Sequence, residues 1–200
     1  MVKVILASAS PQRRQLLEGL GLSFSVIPSS VQEFDCIEHD PIVRARVLAC
    51  AKVRDVAKKH PDAWIIGCDT LVVAPDGTLL EKPSGSEDAK RMIKLQSGGM
   101  STVHSGLCLR TPSNEEYHDV SSSSVTFKKI GDAEMRGWIS SRLWQGRSGA
   151  FQIDGLGQLL IERVEGDWTG VVGLPVFLFG ELMRKAHAPF LISLDHHGSY

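Results

Sequence analysis

Residues 5–17 read ILASASPQRRQLL, and the fold class turns on how this stretch is parsed. A short apolar run reads as a strand, and Ser-x-Ser-Pro directly after it reads as the start of a helix. Ser10 suits the N-cap, because its hydroxyl accepts a hydrogen bond from an amide that has no partner in the first turn. Pro11 then falls at the first helical position, where its missing N–H costs nothing and its fixed φ is already helical. Leu16, Leu17 and Leu20 supply one apolar face. With VKVILA before it and LSFSVIP after it as strands, the segment is an α/β opening. A helix N-terminus presents free amides and partial positive charge, the arrangement that holds phosphates and carboxylates. Arg13 and Arg14 in the first turn oppose the helix dipole, and that mismatch points to a bound anion. Two solvated arginines beside an ordinary cap are the structural alternative.

Composition narrows the class. A chain of 200 residues suits one domain or two small ones and buries about 70% of its unfolded surface. The hydrophobic fraction of 42% with 22% charged residues is that of an ordinary soluble globular protein. A net charge of -1 gives no bulk attraction to nucleic acid or to a membrane, so neither is expected as a partner, and anion binding must come from locally placed residues. No run approaches the length of a membrane helix, and no secretory segment opens the chain. Cys36, Cys50, Cys68 and Cys108 are spaced too widely for a zinc motif and read as reduced core thiols of a cytosolic protein.

Further along, DPIVRARVLACAKVRDVAKKH opens with an Asp-Pro cap and reads as a long helix with a basic outer face. AWIIGCDTLVVAPDGTLLEKP reads as a hairpin turning at Asp76-Gly77. A two-residue turn there sets position 75 opposite 78 and Leu71 opposite Lys82, which makes Asp69 and Lys82 diagonal neighbours. Such a pair is either a structural ion pair or a metal or base site beside a phosphate-binding lysine. A helix over SEDAKRMIKLQS, β-rich stretches STVHSGLCLRT and EEYHDVSSSSVTFKK, and helices over DAEMRGWISSRL and VGLPVFLFGELMRKAH complete the pattern. The glycine-rich GAFQIDGLGQLLIERVEGDWTGVVGLPV suggests tight turns. Its Gly-x-Gly lacks the strand-before, helix-after setting of a dinucleotide fingerprint. No linker divides the chain, so one domain is expected over residues 1–188 with a tail over 189–200. All seven histidines read as surface, helix-end or tail residues, apart from His104 within TVHSGL.

Taken in order, LASASPQRRQLL, GCDTLVV, EKPSGSEDA, TVHSGL and GAFQIDGLG…VEGDWTGVVGLP resemble the successive motifs of the Maf family. These septum-formation-protein homologues act as nucleoside triphosphate pyrophosphatases. The resemblance runs from about residue 3 to residue 185. It implies a single α/β domain of Maf type, with a long, strongly twisted mixed β-sheet flanked by helices and a cleft beside the sheet. It also implies a divalent metal, Mg²⁺ or Mn²⁺, a cytoplasmic setting, and a homodimer. Residue by residue, the family's Ser-x-Ser-Pro-Arg-Arg falls on Ser8, Ser10, Pro11, Gln12 and Arg13. Glutamine at position 12 leaves more of the phosphate binding to Arg13, with Arg14 able to compensate. The family's helix lysine matches Lys52, its aspartate in Gly-x-Asp-Thr matches Asp69, and its Lys-Pro matches Lys82. Glu33 in VQEF resembles the family's acid after the second strand.

By that resemblance Asp69, Lys52, Lys82 and Glu33 are the catalytic set, with Asp69 and Glu33 holding the metal. Ser8, Ser10, Arg13, Arg14 and Asp154 are the substrate-binding residues. Asp154 stands where the family has glutamine in Ile-Gln-Gly, which alters charge and donor capacity near the nucleotide. The reaction is hydrolysis of a triphosphate to its monophosphate and pyrophosphate. Of the family's branches, GCDTLVV and GDWTGVVGLP resemble the one that takes dTTP, UTP and modified pyrimidine nucleotides in house-cleaning. The alternatives are the branch that takes 7-methyl-GTP and a non-catalytic nucleotide-binding regulator of cell division.

Overall fold

Three long strands carry the architecture of this computed structural model, which describes residues 2–190. β3 (Trp64–Val73), β5 (Met100–Arg110) and β6 (Glu116–Phe127) are joined by two continuous antiparallel ladders, β3 to β5 and β5 to β6. β1 (Val4–Leu6) lies parallel to β3, β2 (Ser25–Val26) parallel to β1, and β7 (Ile161–Glu165) closes the other edge against β6. The resulting mixed sheet has the order β2-β1-β3-β5-β6-β7, with the short β4 (Leu79–Leu80) paired to the end of β3. The α/β sheet implied by the sequence is therefore present.

The strand pleat sorts the core. Ile5, Ile65 and Cys108 face α2 (Pro41–Ala57), whereas Val4, Leu6, Trp64, Ile66, Leu107 and Leu109 face α1 (Pro11–Gly19) and α6 (Val176–Lys185). At the far end, α3 (Ser86–Gln96) and α4 (Asp132–Ser141) cover Val72, Leu80 and Phe127, and Phe151 stacks edge-on against Phe127 at 5.1 Å. Helix starts follow the expected chemistry. Ser10 Oγ accepts from the Arg13 amide at 3.5 Å, and Asp40 Oδ1 accepts from the amides of Ile42 and Val43 at 2.9 Å.

Two strand glycines seat α2 closely on the sheet. A Cβ on Gly67 would lie 2.5 Å from the Ala49 carbonyl oxygen, and one on Gly106 would lie 2.2 Å from that of Ala45. Their missing side chains let the helix backbone touch the strands, with Ala45, Ala49 and Val53 as the contacting stripe. Asp69 is paired with Gly106 across the ladder, so the carboxylate lies beneath that contact.

One expectation needs correction. The hairpin register is shifted by one: Val72 pairs with Leu80 and Val73 with Leu79. Gly77 donates to the Ala74 carbonyl at 2.9 Å, Ala74 donates to that of Thr78 at 2.8 Å, and Gly77 has φ 87°. The loop is thus a type I turn with Pro75 at its second position, followed by a left-handed glycine, which is the usual three-residue hairpin. Because β4 ends at Leu80, Lys82 lies beyond the ladder and is not a ribbon diagonal of Asp69. At the end of the described chain Ala188 is buried and Phe190 stacks edge-on on Trp64 at 5.2 Å. Residues 191–200, including His196 and His197, fall outside the described residues.

The four cysteines are free, with Cys50, Cys68 and Cys108 buried and Cys36 half-buried. Among the described residues, no helix is long and apolar enough to cross a membrane.

Candidate active site

A cleft of about 480 Å³ opens beside the sheet, between the residues after β1, the middle of β3 and the loops at 146–154 and 171–173. Its floor is set by α2. Lys52 is only 6% exposed, and its ammonium donates to Glu33 Oε1 at 2.7 Å and to Asp69 Oδ1. Asp69 itself is 3% exposed, and its second oxygen, Oδ2, is buried without a hydrogen-bond partner. A buried carboxylate oxygen left unpaired is costly. Glu33 comes from the short 3-10 turn Glu33–Asp35, and Lys82 Nζ reaches its Oε2 at 3.4 Å. Burial pushes the Glu33 carboxyl up, but attraction and hydrogen bonding from Lys52 and then Lys82 outweigh it and hold it below the usual carboxylate range.

The other wall is built around Arg13. Its Nη1 donates to Ser8 Oγ at 3.0 Å, Nη2 to Thr70 Oγ1 at 3.3 Å and Nε to the Gly173 carbonyl at 2.8 Å. Gly173 sits just after α5 (Trp168–Val172) at φ 136°, a conformation that favours glycine, and the Asp167 cap on Thr169 starts that short helix. The Gly-Asp-Trp-Thr-Gly stretch thereby aims the guanidinium. Ser10 lines the cleft while its hydroxyl caps α1 and donates to Gln12 Oε1 at 3.2 Å. Asp154 also lines the cleft and pairs with Arg147 at 3.3 Å.

Of the residues expected from sequence, Ser8, Ser10, Arg13, Glu33, Lys52, Asp69, Lys82 and Asp154 meet in this cleft. Arg14 does not. It pairs with Glu18 one turn along α1 at 2.7 Å with its side chain 61% exposed, because adjacent helical residues point about 100° apart and Arg13 takes the inward direction. Thr70, Arg147, Gln152 and Gly173 line the cleft without having been singled out. Thr70 had a local signal in Gly-x-Asp-Thr, whereas Arg147 and Gln152 lie in irregular chain where no periodicity marks them. His104 is a satisfied structural residue, bonded through Nδ1 to Ser122 Oγ at 2.8 Å, with its pKa lowered by burial.

The lining carries four cations, Arg13, Lys52, Lys82 and Arg147, against three carboxylates, Glu33, Asp69 and Asp154. That balance suits an anionic ligand without neutralising a polyphosphate. Hard divalent cations take carboxylate and phosphate oxygens, and the unpartnered Asp69 Oδ2 with the nearby Glu33 carboxylate is a donor set of that kind. The residues present fit such an ion.

A family model described as Maf-like protein matches residues 3–186. The chain is 42% identical over 184 residues to the dTTP/UTP pyrophosphatase of Deinococcus radiodurans, a match covering 92% of this chain and 93% of that one. It is 40% identical over 183 residues to the dTTP/UTP pyrophosphatase of Koribacter versatilis, covering 92% and 94%. Among solved structures, a HAM1 protein from Coxiella burnetii aligns over 65% of this chain and 75% of that one, at 13% identity and a TM-score of 0.45.

Proposed function

The chain belongs to the Maf-like family, and from that membership we propose that it hydrolyses dTTP- and UTP-type nucleoside triphosphates, including modified pyrimidine forms, to the monophosphate and pyrophosphate. The observation that carries the reading is the buried Asp69, whose Oδ1 is held by Lys52 while Oδ2 is left free in a cation-lined cleft. The identity with dTTP/UTP pyrophosphatases supports the pyrimidine class.

Attack of water on a phosphoryl centre is held back by the negative charge of the triphosphate and by poor positioning, so catalysis is mainly clamping and neutralisation. Arg13, fixed by Ser8, Thr70 and Gly173, presents a rigid guanidinium to phosphate oxygens. Lys82, half-exposed at the open side beside Glu33, contributes a second charge. Lys52 fixes Asp69 and Glu33 in direction and holds the Glu33 carboxyl below the usual carboxylate range. Asp69 Oδ2 orients a water toward the α-phosphorus and accepts its proton as the bond to the bridging oxygen breaks and pyrophosphate leaves. A Mg²⁺ or Mn²⁺ bound by Asp69 and Glu33 would supply the remaining neutralisation of phosphate charge.

The test is pyrophosphate release with Mg²⁺ or Mn²⁺ across dTTP, UTP, CTP, GTP, 7-methyl-GTP and base-modified analogues, with Asp69→Asn alongside. Asparagine still accepts from Lys52 through Oδ1, so the variant should fold while turnover falls at least about a hundredfold. Near-normal turnover in Asp69→Asn would remove the role given to Asp69. Tight nucleotide binding without turnover in the unaltered protein would replace the enzyme by a sensor.

A further inference from the structure

On the α2 side of the sheet, away from the cleft, three side chains with metal-ligating atoms converge. Cys50 on α2, Cys108 on β5 and Glu116 at the start of β6 offer two sulfurs and a carboxylate oxygen that all lie within 4.8 Å of one another. None of them lines the cleft. We infer that Cys50, Cys108 and Glu116 form a binding site for a borderline-soft divalent cation of the zinc class, with His118, cross-strand from Cys108, recruited as the fourth ligand on binding.

The spacing can accommodate a tetrahedral centre. Zinc–sulfur bonds of about 2.3 Å and zinc–oxygen bonds of about 2.1 Å put neighbouring ligand atoms roughly 3.5–3.8 Å apart, and the three atoms here lie within 4.8 Å of one another. Register supplies the fourth ligand. Cys108 pairs directly with His118, and Arg110 pairs with Glu116, so the pleat puts Cys108, Glu116 and His118 on one face, the face that α2 covers. His118 is exposed and lies outside the three-atom group, so it would join the set only on binding.

Charge also matches. Two thiolates and the Glu116 carboxylate, less the Arg54 guanidinium that bonds Glu116 at 2.6 Å, leave two negative charges for a divalent ion. Arg54 acts there as an outer partner that orients the ligating carboxylate. On binding, the Cys50 and Cys108 thiols release their two protons to solvent and two metal–sulfur bonds form, with no change of oxidation state. Without the ion the Cys108 thiol, pushed up by its hydrogen bond to Cys50 and by burial, stays protonated. Thiolates in a mixed sulfur, oxygen and nitrogen set select zinc over the Mg²⁺ or Mn²⁺ suited to the oxygen-lined cleft. The ion would tie α2 to β5 and β6 two residues before Lys52, the helix position on which the Glu33 and Asp69 contacts depend.

Titration of reduced, chelator-treated protein with Co²⁺, followed by competition with Zn²⁺, tests this. The expected result is one equivalent bound with a sulfur-to-cobalt charge-transfer band, which an oxygen-ligated ion in the cleft does not give. Zn²⁺ should displace it and raise Tm. Cys50→Ser and Cys108→Ser should abolish the band and Cys36→Ser should keep it. Glu116→Gln and His118→Ala, which leave both buried thiols in place, should weaken binding by at least about tenfold. Absence of the band in the unaltered protein, or its persistence in both Cys50→Ser and Cys108→Ser, would overturn the site.

Discussion

Replacing Lys52 by methionine isolates the electrostatics of the cleft floor, because the stem volume is kept and only the ammonium is lost. Two contacts disappear, and they are unequal. Glu33 is about two-fifths exposed on its side chain, so its share falls in the range of at most about 1 kcal/mol seen for solvent-screened pairs. Asp69 is 3% exposed, and stranding a buried charge costs about 3–5 kcal/mol. A single pair at 4 Å and an effective dielectric of 20 gives about 4 kcal/mol. The expected loss at pH 8 is therefore about 4 kcal/mol.

Urea unfolding of the Lys52→Met variant and of the unaltered protein at pH 8 measures this. Adding Asp69→Asn should recover most of the loss, because no buried carboxylate is then left without its ammonium. A loss under about 1 kcal/mol, or no recovery in the double variant, would refute the reasoning.

Two further expectations concern placement. Gly106→Ala puts a methyl 2.2 Å from the Ala45 carbonyl oxygen, a backbone atom that cannot turn aside. It should cost about 3 kcal/mol and lower turnover with it, read by thermal unfolding and pyrophosphate release; a variant of unaltered stability would mean that α2 is not held by this contact. Arg13→Ala removes three hydrogen bonds directed at the cleft wall and should lower kcat/KM by about ten- to a hundredfold, matching the loss of a charge-assisted bond. Arg14→Ala breaks only an exposed pair and should leave kcat/KM within about twofold; equal losses in the two variants would reverse the assignment of the inward arginine.

Local chemistry made much of this protein legible from its sequence. Ser10-Pro11 and Asp40-Pro41 mark helix starts because a capping oxygen and a fixed φ act over two or three residues, and both helices begin there. The order of the motifs carried Ser8, Arg13, Glu33, Lys52, Asp69, Lys82 and Asp154 to one cleft. Even the Pro-Asp-Gly turn was visible as a turn, but its phase was not, since Pro75 entered the loop and shifted every later residue by one.

What the tertiary structure decided is direction and distance. Arg13 and Arg14 are chemically alike in the sequence, and only the packing of α1 against the sheet turns one to Gly173 and the other to solvent. Nothing local marks Gly67 and Gly106 as special; their role shows only where α2 is seated on them and Lys52 drops onto Asp69. Cys50, Cys108 and Glu116 are far apart along the chain and adjacent only where a helix crosses two strands. Spacing encodes contacts within one turn of helix or one hairpin, whereas contacts between elements depend on which side chains are small enough to let them close, and that is a property of the assembled core.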